Sequence, residues 1–296
     1  METLDFATSS ETTIHVRIGR PVQATTKPLV VFLHYWGGSS STWHKLTSID
    51  RATPTKLTSY PTATPDLRGW GQSSGPAEDS GDSYSITAMA QDVAAVLSQL
   101  NEHAKHSTLL AHGFILVGHS MGAKVALATI QYLSHSLLNS LMGFVLVAPA
   151  PPTALTLPPE MSEQQKAAYN SEESVCWTVA NILSDSKNLA EGDMENIVRD
   201  SLAGNSLAKA AWPGYGMQED VSASVKGVLE PLAGRLRACV LAGESDVVEP
   251  PERVKDQVVR LLEDAGVSTS FTVLQGAKHL IPLEDPEAVY GAISTF

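Results

Sequence analysis

The sequence predicts an α/β fold: a mostly parallel sheet covered by helices on both faces, with an inserted helical stretch. Three observations predict it. Short apolar runs recur along the chain and alternate with helical patterns, the signature of strands joined by crossover helices. Most of those runs are apolar throughout rather than alternating, as in strands buried on both faces. Between residues 151 and 230 the alternation lapses, and prolines and helix formers replace it.

Taken in order, Ile14 to Ile18 alternates apolar and polar residues, a half-exposed strand ended by Gly19 and Pro21. Leu29 to Leu33 is a buried strand, and His34 to Ser41 is the loop after it. A short helix is expected from about Thr42 to Asp50, and a short strand over Tyr60 to Thr64. The glycine-rich stretch Asp66 to Ser73 is a turn. From Tyr84 to about Leu100, Ile86, Met89, Ala90, Val93, Val96, Leu97 and Leu100 fall on one helical stripe. A strand over 114–118, a helix from Ser120 to about Ser134 and a strand over Met142 to Ala148 follow. Pro149, Pro151, Pro152, Pro158 and Pro159 then make a rigid exit from the sheet. Ser162–Ser184 and Asp193–Ala211 read as helices, and Trp212 to Gly216 as a break. Residues 151–230 are therefore read as a helical insertion into a core formed by 1–150 and 231–296. The alternation resumes with a strand over Ala238 to Ala242 and a helix from about Pro251 to Ala265. A strand over Ser268 to Leu274 and a terminal helix from about Pro286 close the chain.

Composition narrows the function. The chain has 296 residues, 43% hydrophobic and 18% charged, enough for a sizeable core. Net charge is −12 and no basic run exists, which argues against nucleic-acid binding. No apolar run has the length of a membrane span, and the acidic start Met1 to Phe6 is no secretory signal. Cys176 and Cys239 are far apart, with neither metal-type spacing nor a disulfide framework. A cytoplasmic protein is expected. Its oligomeric state is not legible.

The chemistry centres on Gly118-His119-Ser120-Met121-Gly122. Gly-x-Ser-x-Gly arises by chance in roughly one chain in ten of this length, so the context has to decide. Here an apolar strand precedes the serine and a helix follows it, which presents the hydroxyl at a strained strand-to-helix turn. Glycines on either side let strand and helix approach closely. A serine nucleophile needs a base, and the base needs an orienting acid. His279 lies just past the last strand, and Asp246 just past the strand before it. In an open parallel sheet, ligands bind at the carboxyl ends of strands, where Ser120 also falls. Glu244 is the reserve acid, and either carboxylate could instead merely cap the following helix. The Met121 N–H, at a helix N-terminus, is expected to hold an oxyanion. A second donor comes from the loop after Leu33, with Trp36 favoured and Tyr35 the alternative. His34, Asp66, Arg68 and Gly71 are assigned structural roles. His119, beside the serine, could line the pocket.

On these motifs the chain resembles the α/β-hydrolase fold family. The matching stretches are His34-Tyr35-Trp36-Gly37-Gly38, Asp66 to Ser73, Gly118 to Gly122, Gly243-Glu244-Ser245-Asp246 and Gly276-Ala277-Lys278-His279, in the family's order. The resemblance implies a largely eight-stranded sheet with a helical cap. It implies Ser120 as nucleophile, His279 as base and Asp246 as acid, with no cofactor and no metal. One departure matters: Tyr35 stands where the family usually has glycine.

The expected function is hydrolysis of a small, largely apolar ester or lactone through an acyl-enzyme. Trp177, Trp212, Tyr215, Met161 and Met217 are candidate pocket residues in the cap, beside Tyr35 and His119. A carbon–carbon bond hydrolase or a cofactor-free perhydrolase would use the same three residues. An aminopeptidase would need acidic cap residues, for which Glu172, Glu173 and Glu195 are available. From a different class, a weakly catalytic ligand receptor on the same fold remains open.

Overall fold

The computed structural model describes residues 2–47 and 56–296. Eight strands form one sheet: β1 (Glu2–Ala7), β2 (Thr13–Gly19), β3 (Leu29–Leu33), β4 (Thr62–Pro65), β5 (Phe114–His119), β6 (Leu141–Val147), β7 (Arg237–Gly243) and β8 (Ser268–Leu274). Their order across the sheet is β1-β2-β4-β3-β5-β6-β7-β8. β2 pairs antiparallel with both β1 and β4, and every other pairing is parallel. β3 and β5 are buried at every residue, as their continuous apolar runs require. β8 lies at the sheet's edge and is partly exposed along its length.

Seven strands stand where the sequence places them. β1 does not figure among the expected strands. Its side chains alternate toward and away from solvent, and its one backbone partner is β2. The expected helix from Thr42 to Asp50 is seen as a tight turn over Ser40–Trp43 and a turn of helix over His44–Thr47. Positions 48–50 of that expectation lie outside the described residues. The stripe of apolar residues on helix Ile86–Glu102 is buried throughout, and Ser85 caps the helix by accepting from the Ala88 N–H.

Residues 151–230 contain no strand. The two long helices expected there are broken. Pro159–Ala167 and Glu172–Thr178 are separated at Ser171, which caps the second helix. Asp193–Ala203 and Ser206–Ala211 are separated by Gly204 and Asn205, and Asn205 caps the latter. Trp212–Gly216 is a wide helical turn that continues the chain without a break. The parallel strands deliver the loops at 34–38, 120, 244–250 and 275–280 to one edge of the sheet. The helical stretch lies against that edge: Leu183 O accepts from both the His279 N–H and the Leu280 N–H. Among the described residues, no helix is long and apolar enough to cross a membrane.

Candidate active site

Ser120 occupies the turn between β5 and helix Met121–Thr129 with φ 53° and ψ −117°. It is one of two described residues other than glycine with positive φ. Such a conformation costs about 1–3 kcal/mol and persists only where neighbours hold it. The Ser120 N–H donates to Val147 O at the end of β6, and Ser120 O accepts from the Ala150 N–H. Gly118 and Gly122 are required by close approach: a Cβ on the first would collide with Ala123, and one on the second with the Leu33 carbonyl.

His279 and Asp246 meet although 33 residues separate them. His279 Nδ1 lies 2.8 Å from Asp246 Oδ2, and both side chains are buried. Asp246 Oδ1 accepts from the N–H groups of Val248 and Glu249, at 2.8 and 3.0 Å. Burial pushes the Asp246 carboxyl up, but the His279 charge, its hydrogen bond and the two backbone donors hold it below the usual range. Glu244, the reserve acid, is exposed and accepts instead from the Gly276 N–H at 2.9 Å. It anchors the loop that carries His279.

His119 is fully buried and does not line the cavity beside Ser120. Its position at the end of β5 turns it beneath that site. Its Nε2–H donates to His279 O at 2.8 Å, since a carbonyl can only accept. Its ring lies between those of Tyr35 and His279, with centroids 5.0 and 5.2 Å away. Burial and the neighbouring His279 push its pKa down to about 3, so it stays neutral.

The loop after β3 answers the question posed by Tyr35. Positive φ falls at Gly37, and Tyr35 has none, so no glycine-only conformation is demanded of it. Its buried ring tucks against Gly38 and His119. His34 shapes this loop: Nδ1–H donates to Tyr35 O, and Nε2 accepts from the Leu67 N–H. Asp66 accepts from the Ser40 and Gln72 N–H groups, and Arg68 pairs with Asp92 through Nε and Nη2 at 2.6 and 2.8 Å.

The helical stretch contributes braces that residue-by-residue motif reading missed. Tyr169 Oη donates to Trp36 O at 2.9 Å, and its ring packs at a tilt against the Trp36 indole, with centroids 4.2 Å apart. Ser201 Oγ donates to Gly37 O, and the Trp36 indole N–H donates to Lys209 O. Each is a single side-chain contact, with no local sequence pattern to mark it. Among the described residues, the backbone N–H groups of Trp36 and Met121 have no protein acceptor.

These elements enclose a cavity of about 180 Å³. Ser120, His279, Tyr35 and Trp36 line it from below, and Met161, Trp212 and Met217 line it from the helical stretch. Two sequence candidates are corrected. Trp177 is about half exposed and lines a separate outer groove with Ser171 and Ser174, because its face of helix Glu172–Thr178 points away from the sheet. Tyr215 is also absent from the cavity: its hydroxyl bonds Asp79 and the Tyr84 N–H. Glu172, Glu173 and Glu195 are exposed and line no part of the cavity. The acid that does line it is Glu249. Ser120 Oγ makes no hydrogen bond to a protein group among the described residues, and it shares the cavity wall with His279. No three His, Cys, Asp or Glu side chains among the described residues cluster as metal ligands.

The sequence model of the Alpha/beta hydrolase family matches residues 30–292. Among curated proteins, none matches the sequence significantly. Solved structures share the fold at low identity. A thermophilic esterase from Thermogutta terrifontis is 21% identical with TM-score 0.67, over 100% of this chain and 97% of that one. A bromoperoxidase from Bacillus anthracis is 17% identical with TM-score 0.72, over 99% of each chain. An enol-lactonase from Burkholderia xenovorans LB400 is 16% identical with TM-score 0.69, over 96% of each.

Proposed function

Since this chain belongs to the Alpha/beta hydrolase family, we propose that it is a serine hydrolase cleaving a carboxylic ester or lactone of a small, largely apolar substrate. The observation that carries this reading is the strained Ser120 on the wall of a cavity it shares with His279, itself bonded to buried Asp246. Ser120 Oγ attacks the carbonyl carbon as His279 takes its proton. The Met121 and Trp36 N–H groups, free of protein acceptors among the described residues, hold the oxyanion. His279 passes the proton to the leaving alkoxide. Water, deprotonated by His279, then releases the acid from Ser120. Asp246 keeps its charge and fixes the imidazole tautomer throughout.

Residues 151–230 act as the cap and set substrate choice, since Met161, Trp212 and Met217 line the cavity. Its largely aliphatic and aromatic wall favours an apolar acyl group over a charged one. The cavity is smaller than the roughly 300–1,000 Å³ usual for drug-sized ligands, which suits short substrates. The family fold itself does not choose the bond. It is shared by chains named as esterase, enol-lactonase and bromoperoxidase.

The test is Ser120→Ala. Turnover of short p-nitrophenyl esters is expected to fall by at least about a thousandfold, with the far-ultraviolet circular dichroism unchanged. Turnover near the wild-type rate would remove Ser120 as nucleophile.

A further inference from the structure

Glu249 has no part in the proton relay, yet it is buried in the wall of the cavity that holds Ser120 and His279. It is 2% exposed. Its Oε2 has no hydrogen-bond partner. A buried polar atom left unpaired costs about 1–3 kcal/mol, and proteins retain such atoms mainly where something else satisfies them.

Its neighbours do not. Arg253 Nε lies 3.8 Å from Oε2, outside hydrogen-bond reach, and Arg253 Nη2 is committed to Val248 O at 3.0 Å. The backbone N–H of Glu249 serves Asp246 Oδ1, which fixes where the side chain starts but leaves its carboxyl unpaired. Gln165 lines the same cavity with an unpartnered Oε1. It sits on a helix with no buried residue, so its amide can turn toward water.

We propose that Glu249 is a substrate-binding residue that donates a hydrogen bond from its carboxyl group to a neutral oxygen in the substrate, such as an ether, ketone or hydroxyl. The ligand chemistry follows from the surroundings. A cationic group is disfavoured because Arg253 already stands beside the carboxyl. An anionic group is disfavoured because Asp246 lies close by in the same turn. Burial pushes the Glu249 carboxyl well above the usual range, against the pull of Arg253, which keeps a proton on it to donate. The substrate is thus an ester or lactone with an apolar body and one further neutral oxygen. This proposal rests on Ser120 being the nucleophile.

The experiment uses the full chain and four p-nitrophenyl esters: the hexanoate and its 3-oxa, 4-oxa and 5-oxa isosteres, each with one CH2 replaced by oxygen. The ratio of kcat/KM for each isostere to that for the hexanoate is measured in wild type, Glu249→Met and Glu249→Gln. Intrinsic ester reactivity cancels when ratios are compared between proteins. Wild type is expected to favour at least one isostere about fivefold to tenfold more than Glu249→Met does. Glu249→Gln, which retains a donor, keeps most of that preference. Equal ratios in wild type and Glu249→Met overturn the proposal. Where Glu249→Met does not fold, wild type alone decides. Its four kcat/KM values, each divided by the ester's alkaline hydrolysis rate, must differ at one oxygen position, and uniform values overturn the proposal. Turnover of the hexanoate by Ser120→Ala near the wild-type rate would instead remove the nucleophile reading, so the two failures are distinguishable.

Discussion

At the residue scale the strained backbone of Ser120 ties stability to chemistry. A φ of 53° with ψ −117° is a conformation that glycine adopts without a Cβ penalty. Alanine keeps the Cβ, and glycine removes it. Ser120→Ala and Ser120→Gly should both be inactive, but their stabilities should differ. Relief of about 1–3 kcal/mol of strain is set against about 0.5–1 kcal/mol of extra chain entropy for glycine. Ser120→Gly is therefore expected to be more stable than Ser120→Ala by about 1 kcal/mol, read as a higher urea midpoint at equal m-value. A Gly variant less stable than the Ala variant would mean that the neighbours bear no strain at this turn. Gly118 and Gly122 were legible from the sequence for the right reason, since each makes room for a neighbouring backbone. Tyr35 was legible only as an anomaly. Its ring packs against His119 and beside Gly38, and local sequence does not encode such a contact.

At the element scale, legibility follows burial. β3 and the helix from Ile86 were readable because one environment acts along their whole length, the sheet interior for one and a core-facing stripe for the other. β1 was not, because only Phe6 of its six residues is buried and its place is set by pairing with β2. The helices of 159–211 were legible in type but not in extent. Ser171 and Asn205 stop them by capping the next helix, and a serine or asparagine inside a polar helix has no distinct signal. Their consequence for the site is the brace on the loop after β3. Tyr169 Oη to Trp36 O is a buried bond between the helical stretch and that loop. Tyr169→Phe removes the hydroxyl and keeps the ring packed against Trp36. It should cost about 0.5–1.5 kcal/mol of stability and, on the proposed mechanism, lower kcat more than it raises KM by shifting the Trp36 N–H from the developing oxyanion. A change confined to KM would instead make Tyr169 a pocket wall and nothing more.

At the scale of the whole molecule, the parallel sheet gathers residues that are remote in sequence. Ser120, Asp246 and His279 come from three strand ends, and the loop after β3 comes from a fourth. Strand ends were predictable, and with them the meeting of Asp246 and His279 at one edge of the sheet. Local sequence does not encode the burial of Glu249 in the cavity wall. That burial has a global consequence for pH. Its folded-state pKa is raised well above that of the unfolded chain. Below about pH 4.3, the ordinary glutamate value, both states keep the proton and Glu249 contributes no pH dependence. As pH rises above that value the unfolded chain ionises while the folded protein does not. The folded state then binds more protons, and stability declines with pH until the folded pKa is passed. Glu249→Gln keeps the shape and cannot ionise, so it escapes this decline. Its melting temperature relative to wild type is expected to climb between pH 4.5 and 8, with the smallest difference at the acid end. Differential scanning calorimetry of both proteins across that range decides the matter. A constant offset between the two curves would mean that Glu249 ionises equally in both states, and that the cavity wall does not hold a neutral acid.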